Sequence, residues 1–326
     1  MANVGGEVTS QSGDDAVRRP HAIERPHHAT AESTRVGIVL AGGKGTRLLP
    51  TTAAVSKHLL PVYDKPMLHY ALSTLLLAGL RDLVIVVHPR DRAAVRRLYG
   101  DGSRLGISIA LVEQARANGI ADGFLAAMAE RPGRSSVMIL GDNFFFGHGL
   151  QAQLAEALAD EAGGTILTCR VKDPRSYGVL TLDARGNPLR IDEKPARPDS
   201  DLAITGLYVL DASAAEKGAV LQPSERGELE VTDLLRAYLA ESRLRALPLG
   251  RGTFWTDMGT EARLLQAANF VQSIQARQGW RICCPEEIAF RKGFIDAAAL
   301  RRLARRSPNP YGRYLAEVAD GRPVDS

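Results

Sequence analysis

Val36-Gly-Ile-Val-Leu40-Ala41-Gly-Gly-Lys-Gly-Thr-Arg-Leu48 runs from an apolar stretch straight into a glycine-rich loop. A short apolar run bounded by glycines reads as a buried strand. Glycines let the backbone approach an anion closely, so that several N–H groups converge on its oxygens. Two cations are positioned to serve such a loop: Arg47 within it, and Lys57 in the following Val55-Ser-Lys-His-Leu-Leu-Pro61. Two familiar phosphate loops fail on the letters. A Walker A loop needs Gly-Lys followed by Ser or Thr, whereas Lys44 precedes Gly45; the dinucleotide fingerprint breaks where its third glycine would be, at Leu48. Taken alone, the segment is equally a glycine-rich turn closing a strand, and the rest of the chain decides between the two readings.

Downstream, apolar runs and helical patterns alternate. Leu83 to Val87 precedes Asp91 to Leu98, Ile107 to Val112 precedes Gly119 to Arg131, and Val137 to Leu140 precedes Leu150 to Asp160. Short apolar strands separated by helices predict an α/β, Rossmann-like, doubly wound and mostly parallel sheet with helices on both faces. Met67 to Ala78 is apolar around much of its circumference and is expected to pack between the sheet and a neighbour. From about Thr165 the strands crowd together, at Thr165 to Val171, Gly178 to Leu182 and Ala203 to Val209, which predicts inserted antiparallel strands. Helical patterns at Glu261 to Arg277 and Ala297 to Arg306 predict a helical C-terminal portion.

Residues 1–34 contain no apolar run and mix both charge signs, which predicts a disordered tail. Its His21, His27 and His28 are expected to be solvated rather than metal-bound. The tail lacks the apolar core of a signal peptide, and no membrane-length apolar run follows, so a cytoplasmic protein is expected. Three cysteines, two of them adjacent at Cys283 and Cys284, argue against a disulfide framework. Forty-one basic residues against 37 acidic ones leave no nucleic-acid footprint, while small anionic substrates remain compatible.

In doubly wound sheets ligands gather at the carboxyl ends of strands. Leu140-Gly-Asp-Asn143 ends a strand there, placing Asp142 and Asn143 at the rim. A second carboxylate, Asp257, follows an aromatic stretch in Trp255-Thr-Asp-Met-Gly-Thr260. A strand-end Asp often only caps the next helix, but two together can hold Mg2+, which binds through one or two carboxylates plus substrate phosphates. In Asp192-Glu-Lys-Pro195, Glu193 suits sugar hydroxyls and Lys194 a phosphate, or the two form a surface ion pair. Arg226 offers a further phosphate contact from a charged, glycine-containing turn, and Gly178 and Gly206 allow close approach of backbone, to a ligand or to neighbouring chain.

Taken in order, Leu40-Ala-Gly-Gly-Lys-Gly-Thr-Arg47, Ser56-Lys-His-Leu-Leu-Pro61, Leu140-Gly-Asp-Asn143, Tyr177-Gly-Val179, Asp192-Glu-Lys-Pro195, Ile204-Thr-Gly-Leu-Tyr208, Arg226-Gly-Glu-Leu-Glu230 and Trp255-Thr-Asp-Met-Gly-Thr260 resemble the glucose-1-phosphate thymidylyltransferases, a group of sugar-phosphate nucleotidyltransferases. Cys284-Pro-Glu-Glu-Ile-Ala-Phe-Arg-Lys-Gly-Phe-Ile-Asp296 resembles the short, tetrameric form. The resemblance spans about Arg35 to Leu315. It implies that dTTP and α-D-glucose 1-phosphate give dTDP-glucose and pyrophosphate with Mg2+, for deoxysugar synthesis. It also implies a core over 35–280, an oligomerisation segment over 281–326, a homotetramer, and feedback inhibition by a sugar nucleotide.

The resemblance assigns Leu40, Gly42, Gly43, Gly45, Thr46 and Arg47 to the nucleoside triphosphate, with Gln114 and Gly119 on thymine. Arg47 would favour departure of pyrophosphate, and Lys57 would bind phosphates at the reacting centre. Asp142, also near the nucleotide, and Asp257 would hold Mg2+. Lys194 and Arg226 would orient the sugar phosphate, and Asn143, Tyr177, Gly178, Glu193, Ile204 and Trp255 would line the sugar. Departures concentrate in the base loop. The family pattern Gln-Pro-Ser-Pro-x-Gly-Leu-Ala-Gln-Ala stands here as Gln114-Ala-Arg-Ala-Asn-Gly-Ile-Ala-Asp-Gly123, with both prolines lost and Asp122 introduced. Use of UTP or of several nucleotides is therefore the close alternative. A non-catalytic sugar-nucleotide-binding subunit is the alternative of another class, and it predicts damage at Arg47, Lys57, Asp142 or Asp257, all of which are present.

Overall fold

Strand β1 (Val36–Ala41) lies at the centre of a parallel stack, with β4 (Asp82–Val87) on one side and β6 (Ser136–Leu140) on the other. The computed structural model describes residues 1–2, 34–116 and 118–321, so the tail expectation, with its three histidines, falls outside the described residues apart from its ends. Between β1 and β4 come a two-stranded ribbon, β2 (Pro61–Val62) with β3 (Lys65–Pro66), and helix α1 (Met67–Leu77). Helix α2 (Arg92–Tyr99) leads to β5 (Ser108–Glu113), parallel to β4, and α3 (Ile120–Ala129) leads back to β6. The chain thus moves outward from β1 through β4 to β5 and returns to the opposite side of β1. The strand order reverses between β1 and β6, and their carboxyl-end loops open onto the crevice where such sheets bind ligands.

The alternation along β1 and β4 explains both faces. Val39, Ala41, Leu83, Ile85 and Val87 share one apolar cluster with α1 and α2, while Val36, Ile38, Val84 and Val86 share another with α3. Burial on both sides is what a near-continuous apolar strand requires. Helix α1 is buried over most of its surface, as its composition predicted.

After β7 (Asn143–Phe146) and α4 (Leu150–Leu158), the inserted portion brings β8 (Gly164–Arg170), β9 (Gly178–Leu182), β10 (Pro188–Glu193) and β11 (Leu202–Leu210). Strand β11 pairs antiparallel with β6, β8 and β9, and β10 pairs antiparallel with β9. Helices α5 (Ala214–Ala219) and α6 (Val231–Ala240) precede β12 (Leu244–Pro248), which joins β8 in parallel. Among the described residues the main sheet holds nine strands, ordered β10-β9-β11-β6-β1-β4-β5 with β8 and β12 branching from β11. A separate ribbon pairs β7 with β13 (Phe254–Asp257). Helix α7 (Glu261–Gln278) packs on this ribbon through Ala267 and Val271. The chain then continues into α8 (Pro285–Arg291), α9 (Ala297–Arg305) and α10 (Pro310–Ala319). Ala289 of α8 packs into the sheet core beside α1. Among the described residues no helix is long and apolar enough to cross a membrane.

Candidate active site

The glycine-rich loop leaves β1 and is fixed by its own backbone. Gly45 adopts a left-handed conformation (φ 67°), its carbonyl accepts a hydrogen bond from Thr52 Oγ1 at 2.8 Å, and a short 3-10 turn over Thr46–Leu48 follows. A Cβ at Gly45 would lie 2.9 Å from Lys57 Cβ, so the missing side chain lets the loop sit directly on the lysine stem. Buried Lys57 reaches across the strand-order reversal to Asp142, after β6, with Nζ 2.6 Å from Oδ2. Burial alone would raise the Asp142 carboxyl; the charge and hydrogen bond of Lys57, helped by His58 and Asn143, hold it down at about 2.

Asp257 is brought beside Asp142 by the β7–β13 ribbon, where Asn143 pairs with Asp257 and the Met258 N–H donates to the Asp142 carbonyl at 2.8 Å. Its Oδ2 lies 2.6 Å from Arg263 Nη1 on the first turn of α7, and its Oδ1 accepts from the Gly259 N–H at 3.2 Å. A Cβ at Gly259 would stand 2.8 Å from Asp257 Oδ1 and 2.9 Å from Arg47 Nη2, so this glycine leaves space that both side chains border. Two ionisable oxygen donors on adjoining strand ends suit a hard divalent cation completed by substrate phosphates. Among the described residues no group of three or more His, Cys, Asp or Glu offers an all-protein cage.

Asn143 is buried and ties the centre together. Its Nδ2 donates to Asp142 Oδ1 at 3.0 Å, while its Oδ1 accepts from Trp255 Nε1 at 2.7 Å and from the Gly206 N–H at 3.1 Å. Trp255 packs against Tyr177 with ring centroids 5.1 Å apart, and the Arg263 guanidinium lies over the Tyr177 ring. Burial, then the nearby Asp257 charge, pushes the Tyr177 phenol up. Further along, Gly178 on β9 pairs with Glu193 on β10. Glu193 Oε1 lies 3.0 Å from Lys194 Nζ and 3.1 Å from Arg226 Nη2, and Arg226 also holds Glu230 at 2.8 Å.

These groups line one cleft of about 360 Å³. It collects Leu40, Gly42, Gly43, Arg47, Lys57, Gln114, Gly119, Asp142, Asn143, Tyr177, Gly178, Glu193, Lys194, Ile204, Trp255 and Asp257. Gly45, Thr46 and Arg226 are not among its lining residues; Gly45 supports Lys57 and Arg226 contacts the cleft through Glu193. At the base end, Gln114 Nε2 donates to Asp122 Oδ2 at 2.7 Å and to the Gly119 carbonyl at 3.2 Å. Gly119 (φ 111°) leaves no space for a side chain, since a Cβ would lie 2.3 Å from the Leu229 carbonyl oxygen.

Sequence reasoning missed His58, Tyr208, Glu228 and Thr232 on the cleft wall, and Arg263 behind it. His58 carried a signal in its place beside Lys57. It is buried with Nδ1 unpartnered, and burial, then the Lys57 charge, lowers it to about 3. Arg263 carried none, because its role depends on α7 starting beside Asp257.

A nucleotidyl transferase family model matches residues 36–274. A glucose-1-phosphate thymidylyltransferase of Xanthomonas campestris pv. campestris is 50% identical over 286 residues, covering 87% of this chain and 97% of the relative. Namesakes from Neisseria meningitidis and Mycobacterium tuberculosis are 47% and 42% identical, covering 86% and 87% of this chain and 98% and 99% of their own. The crystal structure of a Bacillus anthracis protein described as a glucose-1-phosphate thymidylyltransferase, in complex with sucrose, superposes with a TM-score of 0.67 at 34% identity, over 72% of this chain and 94% of that one. A UDP-glucose pyrophosphorylase complexed with UDP-glucose shares the fold, with a TM-score of 0.65 at 23% identity over 74% of this chain and 99% of its own. The chain belongs to the nucleotidyl transferase family, alongside the glucose-1-phosphate thymidylyltransferases.

Proposed function

We propose that the chain is a glucose-1-phosphate thymidylyltransferase, joining dTTP and α-D-glucose 1-phosphate to give dTDP-glucose and pyrophosphate. The observation that carries this reading is the meeting of two cations, two carboxylates, a base-side amide and the Glu193–Lys194 sugar end in one cleft. The names of the relatives, each matched over nearly its full length, support the same substrates.

The sugar phosphate is mostly dianionic at neutral pH because its second pKa is about 6. Its oxygen attacks the α-phosphorus without help from a strong base, the bond from that phosphorus to the α,β-bridging oxygen breaks, and the β- and γ-phosphates leave together as pyrophosphate. His58, held neutral with a pKa of about 3, is a poor proton acceptor and fits a site that needs none. Lys57 and Arg47 shield like charge between the reactants and stabilise the departing pyrophosphate, and holding both substrates in one cleft aligns attack. Asp142 and Asp257 would hold Mg2+, which supplies further charge neutralisation at the phosphates. Lys194 and Glu193 orient the sugar phosphate, with Arg226 bracing Glu193.

The remaining assignments rest on the family likeness: the division at about residue 280, a homotetramer built through 281–326, a sugar-nucleotide feedback inhibitor, a cytoplasmic setting and a place in deoxysugar synthesis. A binding-only subunit is disfavoured by the full set of Arg47, Lys57, Asp142 and Asp257 in the cleft. The test is pyrophosphate release that requires both substrates, compared in the parent chain, Asp142→Asn and Asp257→Asn. Loss of at least about a hundredfold in each variant is expected. Near-parental rates in both would reject the assignment of these carboxylates, and absence of release by the folded parent would reject the activity.

A further inference from the structure

The base end of the cleft contains an arrangement built from two of the positions where the sequence departs from its family pattern, Asp122 and Gly123. Gln114 uses both protons of its side-chain amide inside the protein: Nε2 is 2.7 Å from Asp122 Oδ2 and 3.2 Å from the Gly119 carbonyl oxygen. An amide nitrogen carries two protons, and a carboxylate and a carbonyl only accept. Turning the amide over would place Oε1 against two acceptors, so its orientation is fixed. The oxygen is accommodated by missing side chains: a Cβ at Gly42 would come within 2.6 Å of Gln114 Oε1, and one at Gly123 within 3.1 Å. Glycine inside a helix costs about 1 kcal/mol relative to alanine, yet Gly123 lies within α3, where it leaves that space.

A carboxylate in the first turn of α3 also has a plain structural use, because it complements the positive end of the helix. That role does not require the side chain to meet a particular amide on a neighbouring loop. The charge-assisted bond to Gln114 does.

We propose that Asp122 is a positioning residue that makes Gln114 an acceptor-only reader of the nucleobase. This rests on the reading of the cleft as a nucleoside triphosphate site with its base at Gln114. Thymine and uracil present a ring N3–H donor, which the fixed Oε1 accepts. Cytosine presents an unprotonated N3, and adenine an unprotonated N1, which meet the same oxygen as acceptor against acceptor. Selection against these bases follows from the Asp122–Gln114 bond. Selection between thymine and uracil, which share that edge, is left to other groups.

The test compares dUTP with dCTP, which carry the same sugar and triphosphate and differ at the pyrimidine 3,4-edge. Turnover with α-D-glucose 1-phosphate and calorimetric binding of each nucleotide are measured for the full chain, Asp122→Asn and Asp122→Leu. The asparagine side chain is isosteric and can donate as well as accept, so it can pair with either orientation of the amide, and the leucine side chain does neither; in both, the Gly119 carbonyl is the one fixed acceptor left to oppose turning. The preference for dUTP over dCTP is expected to fall roughly tenfold or more in both variants. A change in charge or in helix stability acts on the two nucleotides alike and leaves the ratio unmoved. A ratio within about twofold of the parent in the folded Asp122→Asn variant, or a parent with no preference, overturns the proposal. Turnover with an unmoved ratio would sink the Asp122 role alone. Absence of turnover together with an Asp122-dependent binding ratio would sink the catalytic reading and leave the Asp122 role standing.

Discussion

At the scale of single residues, the cleft depends on side chains that are absent as much as on those present. Gly119 combines a positive φ with backbone of Leu229 where a Cβ would stand. Gly119→Ala is expected to lower stability by about 2 kcal/mol or more and to weaken nucleotide binding, because α3 would have to move off residue 229. Chemical denaturation and calorimetry check both; an alanine variant with parental stability would contradict the packing described. At the sugar end, Lys194 holds Glu193 from a left-handed backbone position (φ 44°), and its own N–H donates to the Tyr177 carbonyl at 3.0 Å. Lys194→Ala should raise the KM for glucose 1-phosphate about tenfold or more with a smaller effect on that for dTTP. Equal changes in both constants would remove it from sugar-phosphate recognition. Most of these residues were legible in the sequence because their types are chemically committed: cations, carboxylates and glycines at strand ends. Arg263 was not, since an arginine on a polar helix has commoner uses, and His58 signalled itself only by its place beside Lys57.

At the scale of elements, two short pieces of chain bring the carboxylates together, and the sequence signalled them unequally. The strands β1, β4 and β6 announced themselves as apolar runs, and the helices α1 and α7 by their length and period, so their limits were anticipated to within a residue or two. The β7–β13 ribbon did not: Asn143–Phe146 and Phe254–Asp257 are four residues each, and only long-range pairing makes them strands. That pairing sets Asp257 beside Asp142, and the start of α7 then delivers Arg263 to Asp257. With its guanidinium on Asp257 Oδ2 at 2.6 Å, Arg263 occupies an oxygen that a divalent cation held by Asp257 would need. Arg263→Ala is expected to lower the Mg2+ concentration for half-maximal turnover, read from a metal titration at saturating substrates. An unchanged or raised value would show that the pair is undisturbed when metal binds.

At the scale of the whole molecule, the doubly wound sheet was readable from the alternation of runs and helices, and its reversal beside β1 explains why motifs distant in sequence share a cleft. The same close packing leaves a signature in pH. His69 on α1 is buried with Nδ1 2.9 Å from the Tyr99 hydroxyl, and burial lowers it to about 4. The unfolded value near 6.5 is higher, so the unfolded chain binds the extra proton. Stability is full above about pH 6.5 and declines as pH falls toward about 4. His58, lowered by its burial and the Lys57 charge, adds in the same direction. His69→Gln should reduce proton uptake on unfolding at pH 5 by about one proton, measured from the pH dependence of denaturant midpoints; an unaltered slope would mean that His69 is already protonated in the fold. The central claim, that this cleft transfers a thymidylyl group to a sugar phosphate, is tested most directly by pyrophosphate release with Mg2+ and α-D-glucose 1-phosphate, comparing dTTP, UTP, dUTP, dCTP, CTP, ATP and GTP. The account predicts release with dTTP preferred and with cytosine and adenine nucleotides rejected; release with a purine or cytosine nucleotide at the dTTP rate, or none with dTTP, would contradict it.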